Sequence, residues 1–220
     1  MHGLGLDTAA LDLVAVTHRH QDHVADLLPL LFALRYTPGL NRERPLSLVG
    51  YPGLRADLNA LASIYGDWVT APGFPLEIWE AGDTPLEIER DEASVELEAC
   101  PVVHTPEAVG FRLTFELEGR EVLMAYTGDT EYCEPAVELA RDADLLIAEC
   151  SAADEMPVSG HLTPRALGRL AAEADCSRLV ATHFYPSALA LGWSEIERRI
   201  RERFGELPVD LGADGLEIEL

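Results

Sequence analysis

The chain lacks lysine altogether, so its sixteen basic residues are all arginine. Against thirty-nine aspartate and glutamate residues, they leave a formal net charge of −23 at pH 7. A surface with this charge repels polyanions, because nonspecific nucleic-acid binding depends on Lys and Arg side chains that neutralise phosphates. The composition therefore disfavours broad nucleic-acid binding, but it leaves room for a small anionic substrate.

Cysteine is scarce, and long apolar runs are missing. The four cysteines are widely spaced, form no CxxC pair and lie in or beside apolar stretches, which predicts reduced thiols in the core. No apolar run approaches the roughly 20 residues that a membrane-spanning helix needs, and the N-terminus has no basic segment followed by an apolar stretch. We therefore expect a cytoplasmic protein that does not bind membranes.

The length and the first half of the chain predict one domain that begins with strand and helix pairs. With 220 residues and 48% hydrophobic content, and without repeats or linkers, the chain is expected to form a single domain over residues 1–220. Residues 11–17 and 46–50 are short apolar runs typical of buried strands. A helix is expected after each strand, from Val24 to about Arg35 and over residues 54–64.

The second half changes pattern twice. From about Leu76 to Tyr126, apolar and polar residues alternate between turn signals, which predicts an antiparallel meander. Residues 144–149 and 178–182 then resemble strands separated by a helix that starts near Pro164, and a last helix is expected from about Ser194 to Phe204. The fold class is therefore α/β.

The strongest chemical signal is the segment Thr17-His18-Arg19-His20-Gln21-Asp22-His23, an HxHxDH cluster directly after a predicted strand. Its four nitrogen or oxygen ligands cannot all reach one ion without crowding, but they can serve two. Imidazole together with carboxylate suits Zn²⁺, Mn²⁺ or Fe²⁺. The alternative is a polar surface loop, but three of the seven histidines of the chain fall in this one segment.

Three more histidines and one aspartate follow apolar or strand-like runs: His104, His161, His183 and Asp129. A lone histidine at a strand end is more often structural, but together with the HxHxDH segment these become candidates for a metal site. Asp129 follows Gly128, which allows a sharp bend and a close approach of the carboxylate to a ligand. A carboxylate can span two cations, although Gly-Asp is also a common ordinary turn.

These motifs together resemble the metallo-β-lactamase fold superfamily, and its ribonuclease Z-like branch fits best. The resemblance covers nearly the whole chain from Leu13 onward. It implies an α/β fold of the αββα four-layer type with a two-metal centre at one edge. By this resemblance, one metal is held by His18, His20 and His104, the other by Asp22, His23 and His183, and Asp129 bridges the two.

A second segment, Ser159-Gly160-His161-Leu162-Thr163-Pro164, is similar to the His-x-Thr segment in which this branch places a catalytic histidine. Thr163 and Pro164 also fit the N-cap and the first residue of a helix, so His161 would lie where an anionic phosphoryl group is attracted. Glu149 resembles the acidic partner of that histidine. The alternatives are that His161 only caps a loop and that Glu149 is a solvated strand end.

Two departures from the family pattern change what the resemblance implies. Family members usually begin with two or three strands before the metal-binding segment, whereas only 17 residues precede His18. We therefore expect a chain without the usual first strands, which is one sign of N-terminal truncation. An open sheet edge would then favour self-association as a homodimer. The 24 residues between His104 and Asp129 suffice for a hairpin but not for a long tRNA-gripping arm.

The function predicted from the sequence is hydrolysis by a binuclear metal-dependent enzyme, most simply of a small anionic phosphodiester rather than of tRNA. The two ions, with Zn²⁺ favoured and Mn²⁺ or Fe²⁺ as alternatives, would provide hydroxide as the nucleophile. Asp22 would accept a proton, and His161, assisted by Glu149, would act as general acid. The alternatives are a thioester, lactone or β-lactam hydrolase, or a metal-binding protein without catalytic activity.

Overall fold

The computed structural model describes residue 5, residues 7–90 and residues 93–220, and it divides into two compact units. Unit 1 comprises Met1–Thr84 and unit 2 comprises Pro85–Leu220. Each unit contains one β-sheet together with several helices. Within the part of the chain that is described, no helix is both long and apolar enough to span a membrane.

Unit 1 contains a three-stranded sheet in which every pair of neighbouring strands is parallel, in the order β1-β2-β3. The central strand is buried along its whole length, as expected for a strand with neighbours on both sides. The elements are β1 (Leu13–Val16), α1 (Gln21–Val24), α2 (Leu27–Tyr36), β2 (Leu46–Gly50), α3 (Leu54–Tyr65) and β3 (Leu76–Glu80), with 3₁₀ turns at Thr8–Ala10, Asp67–Val69 and Ala81–Asp83.

Two expectations for this region are wrong in detail. The helix predicted from Val24 begins earlier, at Gln21, and is divided into α1 and α2. The segment Leu76–Glu80 was expected in the antiparallel meander, but it pairs parallel with β2 as an edge strand of unit 1. All five of its residues are partly exposed. A half-exposed parallel edge strand therefore produces the same sequence pattern as a strand of a meander.

Unit 2 contains a seven-stranded sheet in the order β10-β9-β8-β7-β6-β5-β4. The four strands β4 to β7 are antiparallel, which confirms the predicted meander over this part, and the pairs from β7 to β10 are parallel. The elements are β4 (Leu86–Arg90), β5 (Ala93–Pro101), β6 (Val109–Leu117), β7 (Arg120–Tyr126), α4 (Glu134–Leu139), β8 (Leu145–Glu149), α5 (Pro164–Glu173), β9 (Leu179–Thr182), α6 (Pro186–Leu189), α7 (Trp193–Phe204) and β10 (Val209–Leu211).

The segment between His104 and Asp129 forms the β6–β7 hairpin. Leu117 pairs with Arg120, so only Glu118 and Gly119 form the turn, and both have positive φ angles, 54° and 77°. Two positive φ angles are typical of the tight hairpin turn whose twist matches that of the strands. The prediction that residues 105–128 contain a hairpin and no long arm is confirmed.

Helix α5 begins where the sequence predicted. Thr163 is its N-cap and accepts a hydrogen bond from the Ala166 amide (3.4 Å), and Pro164 is its first residue. Gly168 lies where α5 approaches α7, and a Cβ atom there would clash with the carbonyl of Ile200. The N-terminus of α5 therefore fixes the point at which the preceding segment, which contains His161, joins the helix.

Candidate active site

Strand direction explains why five distant residues of unit 2 lie at one edge of its sheet. Strands β7, β8 and β9 are parallel neighbours, and β5 runs in the same direction as β7 because both are antiparallel to β6. Their carboxyl ends therefore point to the same edge. Glu149 ends β8, and the segments after β5, β7, β8 and β9 each contain one of the others. We call these residues the strand-end set: His104, Asp129, Glu149, His161 and His183.

Asp129 lies among the imidazoles of this set. Its side chain is buried, with Oδ2 3.8 Å from Nε2 of His104 and Oδ1 3.5 Å from Nδ1 of His183. Both separations exceed ordinary hydrogen-bond length, and the one to Nε2 of His104 suits two ligands that each lie about 2 Å from a shared ion. The two carboxylate oxygens of Asp129 thus approach different histidines.

The ring of His104 is oriented by the backbone of Gly160. Nδ1 of His104 lies 2.9 Å from the Gly160 carbonyl oxygen, and because a carbonyl can only accept, Nδ1 is the donor. The lone pair of the neutral ring is then on Nε2, the atom nearest to Asp129. Gly160 has a φ angle of +81°, and a Cβ atom there would lie 2.9 Å from Nδ1 of His104. Glycine at this position allows both the backbone conformation and the close approach.

His183 follows β9 in a conformation that side chains rarely adopt, with a φ angle of 56°. The hydroxyl of Ser151 lies 2.9 Å from its Nδ1 and 3.0 Å from its carbonyl oxygen. These contacts orient the ring and stabilise the unusual backbone. Strain of this kind persists where the surrounding structure enforces it, which is common at functional sites.

His161 and Glu149 form a buried pair. Nδ1 of His161 lies 2.9 Å from Oε1 of Glu149, and Tyr185 Oη lies 3.2 Å from the other ring nitrogen, Nε2. Backbone amides also donate to the carboxyl group, from Thr130 to Oε1 (2.8 Å) and from Ser151 to Oε2 (3.2 Å). These contacts hold the carboxyl group in place, and it in turn fixes the orientation of the imidazole.

Ligand atoms of Asp129, His161 and His183 lie within 4.8 Å of one another, so this part of the strand-end set has the donors and the spacing to hold a metal ion.

Two neighbouring side chains, those of Tyr126 and Cys150, are less suited to acting as ions. Burial, and secondarily the charges of Asp129 and Glu149, raise the pKa of Tyr126 above its ordinary value. Burial likewise raises the pKa of the Cys150 thiol, so both groups remain protonated near neutral pH.

The HxHxDH residues lie together in unit 1, directly after β1; we call residues 17–23 the metal loop. His18 is buried, and its Nδ1 lies 3.1 Å from Thr17 Oγ1. Its ring centroid is 4.7 Å from that of His20 and 4.1 Å from that of His23. Asp22 and His23 lie in the first turn of α1, with Asp22 Oδ2 3.5 Å from His23 Nε2.

Every residue predicted for the site thus lies in one of these two groups. Glu149 and His161, which were paired only by resemblance, are in direct contact. Sequence reasoning missed Ser151 and Tyr185, which contact His183 and His161. Nothing in their sequence context distinguishes them from ordinary polar loop residues, except that each lies two residues from a predicted site residue.

Comparisons with known proteins show the family of the chain. The family model for the β-lactamase superfamily domain matches residues 2–184, so the chain belongs to this family. The Mycobacterium leprae protein ML1173 is 30% identical over 201 residues, which is 88% of this chain and 64% of that protein. This chain thus spans slightly less than two thirds of that relative.

Two further matches support the branch and the fold. A ribonuclease Z from Mycobacterium bovis BCG is 28% identical over 240 residues, covering 99% of this chain and 82% of that protein. The crystal structure of the metallo-β-lactamase fold protein YhfI from Bacillus subtilis superposes with a TM-score of 0.71 at 22% identity, covering 95% of this chain and 78% of that one. The metallo-β-lactamase fold and the ribonuclease Z-like resemblance are confirmed.

Proposed function

We propose that the chain is a metal-dependent phosphodiesterase that acts on small anionic substrates. The observation that carries this proposal is the buried His161–Glu149 pair beside Asp129. Water activation alone suits many ester-like bonds, whereas an oriented imidazole additionally suits a leaving group that must receive a proton. The similarity to a ribonuclease Z supports a phosphoester bond.

We further propose that the metal loop and the strand-end set supply one centre for two divalent ions, with Zn²⁺ as the favoured metal and Mn²⁺ or Fe²⁺ as alternatives. In this assignment, which follows the family resemblance, His18, His20 and His104 would hold one ion, Asp22, His23 and His183 would hold the other, and Asp129 would serve both. The donor types support the assignment, because imidazole and carboxylate together suit these metals, and Asp129 directs one oxygen toward each of two histidines.

When bound, the ions supply activated water near neutral pH and offset charge on the substrate. The chain's own residues move the protons. A carboxylate oxygen of Asp22 accepts a proton from the attacking water. A nitrogen of the His161 imidazole donates a proton to the leaving oxygen, while Glu149 holds the ring in place.

The net negative charge of the chain is the reason why we propose a small substrate rather than a tRNA. A tRNA presents many phosphates and needs a basic track, whereas this chain has a net charge of −23 and contains no lysine. A small phosphodiester carries about one charge, which divalent ions can offset at distances shorter than the roughly 8 Å screening length. The short β6–β7 hairpin likewise offers no long arm to grip a tRNA.

The proposal is tested by elemental analysis of the purified protein together with a substrate screen. We expect close to two metal ions per chain and turnover of small phosphodiesters that a chelator abolishes. Precursor tRNA, a thioester, a lactone and a β-lactam are measured in parallel at low and moderate salt. Efficient tRNA cleavage would refute the claim about substrate size, and preferential turnover of a thioester, lactone or β-lactam would replace the phosphodiester. Bound metal without any turnover would indicate a non-catalytic protein.

A further inference from the structure

Unit 1 contains a cavity of about 320 Å³ that none of the assignments above uses. It lies beyond the carboxyl ends of β1 and β2, since Arg19 and Tyr51 follow those strands. In parallel α/β sheets this is where ligands commonly bind. Most of the lining side chains are apolar and come from the segment that contains α1 and α2 and from α3: Val24, Leu27, Leu54, Leu58 and Leu61.

The polar side of the cavity is formed by three residues. Arg19 Nε lies 3.5 Å from Asp57 Oδ2, and the Tyr51 hydroxyl donates to the same oxygen over 2.8 Å. The Arg19 guanidinium lies over the Tyr51 ring, 5.6 Å from its centroid, and its side chain is half-exposed. The polar side therefore consists of one cation, the carboxylate that contacts it and a tyrosine, and the rest of the lining is apolar.

Arg19 connects this cavity to the chemistry of the metal loop, because it is the residue between His18 and His20. A group bound in the cavity would thus lie beside the loop proposed to hold metal. The apolar walls suit an uncharged ring, and a guanidinium can stack on a ring or contact an anion attached to it. The volume is at the lower end of the roughly 300–1,000 Å³ of small-molecule sites, which suits a small ligand.

We propose that this cavity binds the aromatic ring of a small phosphoester, such as the base of a nucleoside phosphate, while Arg19 lies next to its phosphate. The role in turnover rests on the proposed phosphodiesterase function, but the binding of the ring does not depend on hydrolysis. Apolar contact and stacking supply the affinity. The substrate class is therefore a phosphoester with an aromatic group rather than a purely alkyl one.

The test compares two ligands that differ only in the ring. Binding of adenosine 5′-monophosphate and of ribose 5-phosphate to the purified protein is measured by calorimetry, for the wild type and two variants. Ala60→Phe places a bulky side chain at an exposed position of α3 that lines the cavity. Asn59→Phe adds the same side chain at the adjacent exposed position, which is not part of the lining, and serves as the matched control.

We expect the wild type and Asn59→Phe to prefer adenosine 5′-monophosphate by about tenfold, in line with the energy of stacking one base. Ala60→Phe should lose most of this preference while retaining the wild-type melting temperature. Equal binding of the two ligands by the wild type, or an undiminished preference in Ala60→Phe, would overturn the proposal.

The failure of this proposal and that of the phosphodiesterase proposal are distinguishable. If Ala60→Phe removes a ring preference in a protein that hydrolyses no phosphodiester, the proposal for the cavity stands and the phosphodiesterase proposal is wrong. If the protein hydrolyses phosphodiesters but has no ring preference, the phosphodiesterase proposal stands and the proposal for the cavity is wrong.

Discussion

The metal loop of unit 1 and the strand-end set of unit 2 contain the same types of ligand, but their residues come together in different ways. The metal loop brings three imidazoles and a carboxylate together within seven consecutive residues, through one strand end and the first turn of a short helix. The strand-end set collects residues scattered from His104 to His183. The first group depends on local chain geometry, and the second depends on the directions of four strands.

The two units also differ in charge. Unit 1 contains five arginines and ten acidic residues, whereas unit 2 contains eleven arginines and twenty-nine acidic residues. Most of the excess negative charge therefore belongs to the unit that holds the His161–Glu149 pair. The anionic substrate that we propose would have to be attracted there by local cations, since the general field of the protein opposes it.

The largest expected effect tests whether the two groups act as one centre. Asp129→Ala removes the residue assigned to both ions, so metal content should fall from about two ions per chain to less than one, and activity should fall to background. Elemental analysis and phosphodiester turnover measure the two effects. Glu134→Ala, which removes an exposed carboxylate of unit 2, is the control and should retain both metals. Retention of two ions in Asp129→Ala would show that the groups bind metal independently.

The second-largest expected effect distinguishes a catalytic group from a metal ligand within the strand-end set. His161→Ala should reduce turnover of a phosphodiester with a poor leaving group by roughly 10²–10⁴, because such a leaving group needs a proton. A nitrophenolate leaving group needs none and should be affected much less.

Metal content distinguishes the two roles that the position of His161 allows. It should remain unchanged if His161 acts as the general acid. A lost metal ion, or equal losses of turnover for both leaving groups, would instead assign His161 as a ligand.

A smaller effect should follow from the contact between Gly160 and His104. Gly160→Ala places a Cβ atom 2.9 Å from His104 Nδ1, so the ring must move and metal affinity should fall by about 10–100-fold, the range seen when a ligand loses its orienting partner. Gly119→Ala is the matched control, because Gly119 also has a positive φ angle, +77°, but nothing lies near its Cβ position. Chelator competition measures the affinities. Equal losses in both variants would attribute the effect to backbone strain instead.

The smallest effect concerns how the segment before His161 is held in unit 2. Arg199 contacts Asp154 and Glu155 in that segment and also Glu195 on its own helix, α7. Hydrogen bonds from Arg198 and Arg199 lower the pKa of Glu195 to about 2. A carboxylate with a lowered pKa stabilises the folded state above its ordinary pKa, and this contribution is lost as the pH falls toward 2.

Glu195→Gln should therefore lower the melting temperature by about 1–3 °C near pH 7 and leave it unchanged near pH 2. Thermal melts across this range test the sign. Glu206→Gln, at an exposed position beyond α7, is the control and should have no such dependence on pH. A loss of stability that persists at low pH would indicate packing rather than charge.

The sequence by itself determined the family, the metal loop and most of the order of strands and helices. The metal loop could be predicted because its residues are neighbours in the chain, and a seven-residue motif needs no knowledge of distant contacts. The start of α5 was equally local, since Thr163 and Pro164 are residues that favour a helix N-terminus. His104, Asp129 and His183 were predicted as candidates because each follows a strand-like run.

Only the tertiary structure decided which side chains contact one another. The assignment of Leu76–Glu80 to the parallel sheet of unit 1 depends on its pairing with β2, because alternation of apolar and polar residues does not indicate strand direction. Ser151 and Tyr185 contact His183 and His161 only because parallel strands bring distant loops to one sheet edge. The sequence records which groups are present. The distances between groups far apart in the chain depend on strand pairing, which local patterns do not specify.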